Sequence, residues 1–299
     1  MKNFIYKNFN NIYYNFLFLV VAIFFLTKLS ISYQEILGTN KWAYSNLLIN
    51  YSAGFVRRGL FGEIFINIHD VFNVSSLYFF TTIFFIAYFL QIFFFYKILE
   101  KYKNYKFFLT FVILSPALLL FYIYDLHIFL AKDVFINLAI LFHVYIVNKK
   151  IDIQFYNKIL YFLIFPILIL NMMNHENQVF FLPFHCLITL YFFINKKKQN
   201  YNLKYIKPYI VLLIPIFILL MTSGSYEKMY IINDSIKEFG VTIPNQFAGN
   251  INLAIGGFVK WHFFYHSVQD FLRLFLSFTL SIFLIYVFFD YLVKNNILK

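Results

Sequence analysis

The residues best suited to chemistry in this sequence begin with a pair of arginines between glycines. The motif GFVRRGLFGE runs from Gly54 to Glu63 and places Arg57 beside Arg58. A guanidinium group binds phosphate or carboxylate through two parallel hydrogen bonds. Gly54 and Gly59 flank the pair, and glycine lets the backbone bend and approach a ligand closely. The motif predicts a site for an anionic group. The alternative is that both arginines bind lipid phosphates or pair with nearby carboxylates.

A second stretch carries carboxylates that could accept a proton from a substrate. It contains Asp125 and, a few residues later, the pair Lys132-Asp133. An ionisable side chain at the end of a membrane helix indicates a water-filled cavity or a charge partner, because the bilayer disfavours an isolated charge. Asp125 and Asp133 are therefore candidate general bases, and Lys132 is a candidate for binding an anionic substrate. The alternative is an interfacial Lys132–Asp133 ion pair.

A third stretch ends an apolar run with polar residues. Asn171, His175 and Gln178 are spaced so that they share one face of a helix. His175 and Glu176 are candidates for a general base or for polarising a hydroxyl group. No second ligand follows at helical spacing, so the stretch does not form a zinc motif. The alternative is an ordinary polar turn between two helices, with His185 on the next helix as a satisfied buried histidine.

The composition is that of a chain that lies mostly in lipid. Of its 299 residues, 62% are hydrophobic and only 13% are charged, whereas soluble domains have about 25% charged residues. The mean hydropathy is +0.71. The net charge of +12 does not indicate a nucleic-acid partner, because the lysines stand in short clusters between apolar runs. The single cysteine, Cys186, excludes a disulfide within the chain.

The apolar runs predict an all-α, polytopic membrane helix bundle that forms one integral domain over residues 1–299. A spanning helix needs about 20 mostly apolar residues, and prolines inside several runs predict kinks. The eight predicted spans are 12–32, 76–97, 107–124, 132–148, 158–174, 178–195, 206–222 and 268–293.

The distribution of lysine predicts the orientation of the bundle. Most lysines fall in segments that share one side if both termini are cytoplasmic, in agreement with the positive-inside rule. The predicted location is the bacterial inner membrane, crossed several times. Two long segments, about 33–75 and about 223–267, then lie outside and hold the chemically mixed residues, so we expect the active face to be extracytoplasmic.

Together these motifs resemble polytopic envelope-glycan proteins of bacteria, namely the C-fold membrane glycosyltransferases and the O-antigen polymerase-like proteins. The resemblance rests on the Gly54–Gly62 segment, on Lys132-Asp133 and on His175-Glu176, and it covers about the first 195 residues. In those families a polyprenyl-phosphate-linked sugar is presented at the outer face. The resemblance thus implies a lipid-linked glycan and membrane lipid as partners of this chain.

The resemblance also implies roles for individual residues. The C-fold transferases carry a catalytic carboxylate on the first outer loop, for which Glu35 is the nearest match. Their paired acidic residues are missing there, so no cofactor is predicted and a divalent metal lacks a ligand motif. The expected function is a glycosyltransferase or glycan polymerase. A transporter or flippase for an anionic lipid or metabolite, and a non-catalytic assembly subunit, are the alternatives.

Overall fold

The structure is a computed structural model of the whole chain. It describes residues 2–38, 41–56, 58–114, 130–175, 178–197, 205–221 and 225–241. Backbone packing divides the chain into two compact units, Met1–Asn252 and Leu253–Lys299. All described residues belong to the first unit. The last predicted span, 268–293, lies outside the described residues.

The described part of the chain is helical and contains no strand, which confirms the all-α class there. Its α-helices are α1 (Lys2–Gly38), α2 (Lys41–Leu47), α3 (Leu60–Phe72), α4 (Ser76–Leu99), α5 (Lys106–Leu114), α6 (Asp133–Val147), α7 (Ile153–Ile159), α8 (Phe165–Asn174), α9 (Gln178–Lys197), α10 (Leu213–Met221) and α11 (Tyr226–Ile236).

Three helical stretches are long and apolar enough to cross a membrane. They are Phe9–Ser30, Ser76–Tyr102 and Ile153–Asn174, and each coincides with a predicted span. Shorter apolar helices occupy three more of the predicted positions: Asp133–Val147, Gln178–Ile194 and Lys207–Ile218. The count of eight spans and the orientation stay predictions.

Prolines shape several of these helices. A π-helical turn, Leu160–Ile164, joins α7 to α8 directly before Pro166. Proline lacks an N–H group and its ring collides with the carbonyl one turn earlier, and a widened turn relieves that collision. The chain enters α10 through a 3₁₀-helix, Lys207–Leu212, that carries Pro208 in its first turn. Helix α9 continues through Pro183.

The core of the bundle lies around α6. Helix α6 packs against α4 on one side and α9 on the other, and α1 packs against α4 and α5. The buried Gln91 on α4 donates a hydrogen bond of 2.7 Å from Nε2 to the carbonyl of Val134 on α6. The rings of Phe84 and Phe135 meet edge to face beside it. These contacts fix the end of α6 at which Asp133 stands.

The predicted outer segment 33–75 is mostly helical. Helix α1 continues to Gly38, and α2 and α3 follow. The spacing of apolar residues from Leu60 to Ile68 also predicts a short amphipathic segment, and α3 covers it. The connection from α2 to α3, residues 48–59, is called the Arg58 loop below. It packs tightly against α3, because a Cβ atom at Gly62 would lie 2.1 Å from the carbonyl oxygen of Ile49.

The two predicted outer segments contact each other. The side chain of Asn50 donates to the hydroxyl of Ser235 on α11 at 2.9 Å. Phe239, just after α11, packs edge to face on Phe65 of α3. Helices α3 and α11 and the Arg58 loop thus form a small layer at the Asp133 end of α6. This layer holds the predicted site.

Candidate functional site

Arg58 is the next-to-last residue of the Arg58 loop and has a conformation that arginine rarely adopts. Its φ is +67°, in the left-handed region where a side chain costs about 1–2 kcal/mol. The residue is 8% exposed. A strained, largely buried arginine requires surroundings that hold it in place. Lys132 supplies one such contact.

Lys132 holds the Arg58 loop by its backbone. Its ammonium group donates a hydrogen bond of 2.7 Å to the carbonyl oxygen of Arg58, and the residue is only 1% exposed. Lys132 is the N-cap residue of α6, so the start of this helix is tied to the loop. This described contact holds the backbone of Arg58 in place.

Asp133 and His175 face each other across two helices. Asp133 begins α6, and His175 follows the last residue of α8 with an extended backbone, φ −155° and ψ 118°. The distance from His175 Nε2 to Asp133 Oδ2 is 3.8 Å, and the Asp133 side chain is 34% exposed while that of His175 is 8% exposed. The imidazole therefore backs a carboxylate that remains accessible. A shift of less than 1 Å would bring the two atoms within hydrogen-bond distance.

Hydrogen bonds tie the last turn of helix α8 to its neighbours. The backbone N–H of His175 donates to the carbonyl of Asn171 at 2.7 Å. The side chain of Asn171 donates to the carbonyl of Phe135 on α6 at 3.0 Å. It also donates to Oε1 of Gln178 on α9 at 3.3 Å. Asn171 and Gln178 therefore join α6, α8 and α9. The prediction that they share one helix face with His175 is wrong, because α8 ends at Asn174 and Gln178 begins α9.

Two buried carboxamides where α6, α8 and α9 meet have polar atoms that form no hydrogen bond with the described residues. Asn174 is 1% exposed, and neither its Oδ1 nor its Nδ2 has a hydrogen-bond partner among the described residues. The same holds for Nε2 of Gln178. Buried polar atoms are nearly always paired in native proteins. The candidate site thus contains donor and acceptor capacity that the described side chains do not use.

The two flanking glycines are needed for different reasons. Gly54 has φ +81° and closes a turn in which its N–H donates to the carbonyl of Tyr51 at 2.9 Å. At Gly59 a Cβ atom would lie 2.4 Å from the Tyr51 ring. The first glycine supplies a left-handed conformation and the second supplies space. Both shape the Arg58 loop, and neither is shown in contact with a ligand.

The nearby carboxylate of Glu63 is engaged with the loop backbone. Its Oε2 accepts a hydrogen bond of 2.9 Å from the N–H of Tyr51. Its Oε1 accepts one of 3.3 Å from the side chain of Asn67. Burial, together with the charge of Glu63, raises the pKa of Tyr51 to about 12. Glu63 therefore fastens the start of α3 to the loop.

An apolar groove opens beside the polar residues. It has a volume of about 330 Å³ and runs between the Arg58 loop, α8 and α10. Its walls include Phe55, Ile169, Met173, Ile214 and Ile218. Phe55 precedes Arg58 by three residues, and Met173 precedes His175 by two. Two residues of its walls therefore stand close in the chain to residues of the candidate site.

The structure brings four of the predicted site residues together. Consecutive contacts link Arg58 to Lys132, and Asp133 to His175, at one end of α6. The predicted residues Gly54 and Gly59 belong to the Arg58 loop. Arg57, Asp125 and Glu176 lie outside the described residues, and the backbone of Glu35 belongs to α1 while its side chain is not described.

The sequence does not predict the burial of Asn174 or the presence of the groove. Asparagine is frequent near helix ends in this chain, so its type alone carries little signal. No group of three or more His, Cys, Asp and Glu side chains that could hold a metal ion occurs in the described part of the chain. Comparison with known protein families, with characterised proteins and with solved structures finds no match to this chain.

Proposed function

We propose that this protein is a membrane glycosyltransferase or glycan polymerase that acts on polyprenyl-phosphate-linked sugars at the extracytoplasmic face. The observation that carries the proposal is the accessible Asp133 carboxylate, backed by His175 at 3.8 Å and placed beside the Lys132–Arg58 contact. A base one residue from a buried ammonium group, which holds the backbone of an arginine, suits a reaction in which a hydroxyl attacks and an anion departs.

Arg58 has the role of stabilising the leaving group. As a sugar leaves its lipid carrier, the bond between the anomeric carbon and the phosphate oxygen breaks and the phosphate keeps the electron pair. A guanidinium held in advance at that oxygen lowers the cost of the developing charge. Lys132 contributes by fixing the Arg58 backbone through its 2.7 Å hydrogen bond.

Asp133 has the role of general base. The acceptor hydroxyl gives its proton to the carboxylate while its oxygen forms the new bond to the anomeric carbon, so charge and atoms balance. Asp133 suits this role because its side chain is 34% exposed, whereas that of His175 is 8% exposed. His175 positions the carboxylate and shares its charge. Base catalysis of this kind contributes about 10²–10⁴-fold in rate.

The groove has the role of receiving the lipid carrier. Its walls are apolar side chains that include Phe55, Met173 and Ile218, which suit an isoprenoid chain and offer nothing to a sugar. Phe55 and Met173 of its walls stand three and two residues before Arg58 and His175 in the chain. A substrate with an anionic head and a long apolar tail fits both features together.

The test is complementation of a gene deletion in the native host, with the envelope glycan profile as readout. We expect Asp133→Asn to abolish the glycan, because the amide cannot accept the proton, while protein level in the membrane is unchanged. Asp70→Asn is the matched control, since Asp70 is an exposed carboxylate on α3. A normal glycan profile in Asp133→Asn would refute the proposal.

Arg58 gives an independent test of the same proposal. Arg58→Lys keeps the charge but loses the planar pair of donors, so we expect it to restore the glycan poorly. Arg58→Gln should not restore it. If both variants support full synthesis, Arg58 does not bind the leaving group. Lipid movement in proteoliposomes without product formation would instead support a transporter.

A further inference from the structure

A second polar cluster lies inside the bundle, away from the candidate site. Five fully or almost fully buried side chains from α6, α7, α9 and the 3₁₀-helix before α10 form one hydrogen-bonded chain. The distances are 3.0 Å from His185 Nδ1 to His143 Nδ1, 2.8 Å from His143 Nε2 to the Tyr156 hydroxyl, 2.9 Å onward to Thr189, and 2.8 Å from Thr189 to Tyr209. The Tyr209 hydroxyl donates to the carbonyl of His185 at 3.0 Å.

The last contact fixes the direction of the hydroxyl part of the chain. A carbonyl oxygen only accepts, so the hydroxyl of Tyr209 donates its single proton to the carbonyl of His185. Thr189 must then donate to Tyr209, and Tyr156 must donate to Thr189. Each hydroxyl has one proton, so no other arrangement satisfies all three contacts.

The same logic fixes the two imidazoles. Tyr156 has used its proton, so His143 donates to it from Nε2. A neutral imidazole carries one N–H group, so Nδ1 of His143 accepts, and Nδ1 of His185 donates to it. The two rings lie within 16° of parallel, as an in-plane bond between them requires. His185 is therefore left with an unprotonated Nε2.

Nε2 of His185 is the open end of the chain. The residue is 0% exposed, and this nitrogen has no hydrogen-bond partner among the described residues. A buried acceptor without a partner is unfavourable. An ionisable residue inside a membrane bundle marks a functional site by default, and histidine chains are common in proton relays. The orphan nitrogen thus requires a ligand that donates.

We propose that the His143–His185 pair is a proton-binding site that takes up one proton at Nε2 of His185. When the proton arrives from water, an N–H bond forms at Nε2, and the positive charge is shared with His143 through the Nδ1 contact. The chain cannot pass a proton out at its far end, because the Tyr209 hydroxyl faces a carbonyl. Uptake and release therefore both occur at Nε2. The site is independent of the glycan-transfer proposal.

The groups around the His143–His185 pair explain why it is neutral in the closed bundle. The titratable side chains that face it are His143 from α6, Tyr156 from α7 and Tyr209 from the 3₁₀-helix, with Cys186 next to it on α9. A cation is costly in an apolar interior, so the closed bundle holds the pair neutral. Uptake then requires water to reach Nε2, which couples proton binding to a local opening of α9 against its neighbours.

The test is nuclear magnetic resonance of the full-length chain labelled with ¹⁵N-histidine in lipid nanodiscs. His185→Gln assigns the signals of the His185 ring. At neutral pH we expect one tautomer of His185, with the proton on Nδ1 and none on Nε2. On acidification Nε2 should gain a proton, and the signals of His143 should move at the same pH because the charge is shared. His69→Gln, on α3, should change neither ring.

Two results would overturn the proposal. One is a His185 ring that keeps its neutral-pH signals down to the lowest pH at which circular dichroism shows an intact fold. The other is a metal ion in the purified protein whose removal by a chelator shifts the His185 ring signals, since such an ion occupies Nε2. Both measurements are made on the native chain, and the His185→Gln variant serves only to assign its signals.

One conservative variant tests the direction of the chain. Tyr156→Phe removes the hydroxyl that accepts a hydrogen bond from His143 Nε2. It keeps the aromatic ring, whose centroid lies 3.9 Å from that of Phe192. We expect both tautomers of His185 to appear, because nothing then fixes the proton on His143. A single, unchanged tautomer in folded Tyr156→Phe would overturn the assignment and the proposal with it.

Discussion

Replacing Gly62 by alanine sets two effects of opposite sign against each other. Gly62 lies inside α3 and is buried, and alanine is favoured over glycine in a helix interior by about 1 kcal/mol. An added Cβ, however, would lie 2.1 Å from the carbonyl oxygen and 2.6 Å from the carbonyl carbon of Ile49. Ordinary contact begins at 3.4 Å. The Arg58 loop would have to retreat by more than 1 Å.

The steric effect should win. Overpacking costs about 1–3 kcal/mol, and the neighbours of Gly62 are backbone atoms of Leu48 and Ile49, which cannot rotate aside. We therefore expect Gly62→Ala to be destabilised by up to about 2 kcal/mol after the helix preference is subtracted. The displaced loop carries Arg58, and a misplacement of about 1 Å can cost about 10²-fold in rate. Glycan synthesis should fall accordingly.

The assay is thermal unfolding of the purified protein in detergent, compared with glycan synthesis by the same variant. Gly59→Ala is the control, because its Cβ would meet the ring of Tyr51 at 2.4 Å. A ring can swing aside, so we expect a smaller loss of stability there. If Gly62→Ala unfolds at the same temperature as the native chain or a higher one, the loop does not pack on α3 as described.

Three further variants test single contacts around the site. Lys132→Met should lower the free energy of unfolding by about 1.5–3 kcal/mol, measured by chemical denaturation, because a charge-assisted hydrogen bond to Arg58 is lost. Asp152→Ala should lower it by about 0.5–2 kcal/mol in the same assay, since Asp152 caps α7. Tyr51→Phe should leave unfolding at neutral pH within about 0.5 kcal/mol, since the Tyr51 hydroxyl has no partner among the described residues. In the folded chain the pKa of Tyr51 is about 12, above its ordinary 10.0. The folding stability that comes from this shift is therefore present below pH 10 and is lost as the pH rises to 12. Tyr51→Phe should therefore lose less stability over that range than the native chain.

The sequence predicts the apolar helices well and the layer beside them poorly. A run of about 20 apolar residues has little choice but to form a helix in lipid, and Ser76–Tyr102 and Ile153–Asn174 follow that rule. Helix α2 has only seven residues, which is too short for a length criterion. Helix α3 could be predicted only because apolar residues recur at helical spacing from Leu60 to Ile68.

The chemistry of the site was partly visible because charge is rare in this chain. Charged residues make up 13% of the sequence, so Arg58, Lys132 and Asp133 stand out at once. The contacts of these residues could not be predicted from the sequence. Lys132 bonds a carbonyl 74 positions earlier in the chain, and no local pattern encodes a partner at that separation.

The buried chain of hydroxyl and imidazole groups was hidden for a different reason. The sequence contains 25 tyrosines, so the types of Tyr156 and Tyr209 carry no signal. His185 was predicted to be a satisfied histidine, and the structure satisfies its Nδ1 but gives its Nε2 no described partner. Only the packing of α6, α7 and α9 brings these side chains together.

The two polar centres of α6 can be separated experimentally because of where they stand on the helix. Asp133 begins α6 and His143 follows ten residues later, which places them about 15 Å apart along the axis at 1.5 Å per residue. Substitutions farther apart than about 10 Å usually act independently. Asp133→Asn should therefore abolish glycan synthesis without altering the titration of the histidine pair. If it alters both, α6 moves as a unit between the two centres, and a transporter explains that movement better than a transferase does.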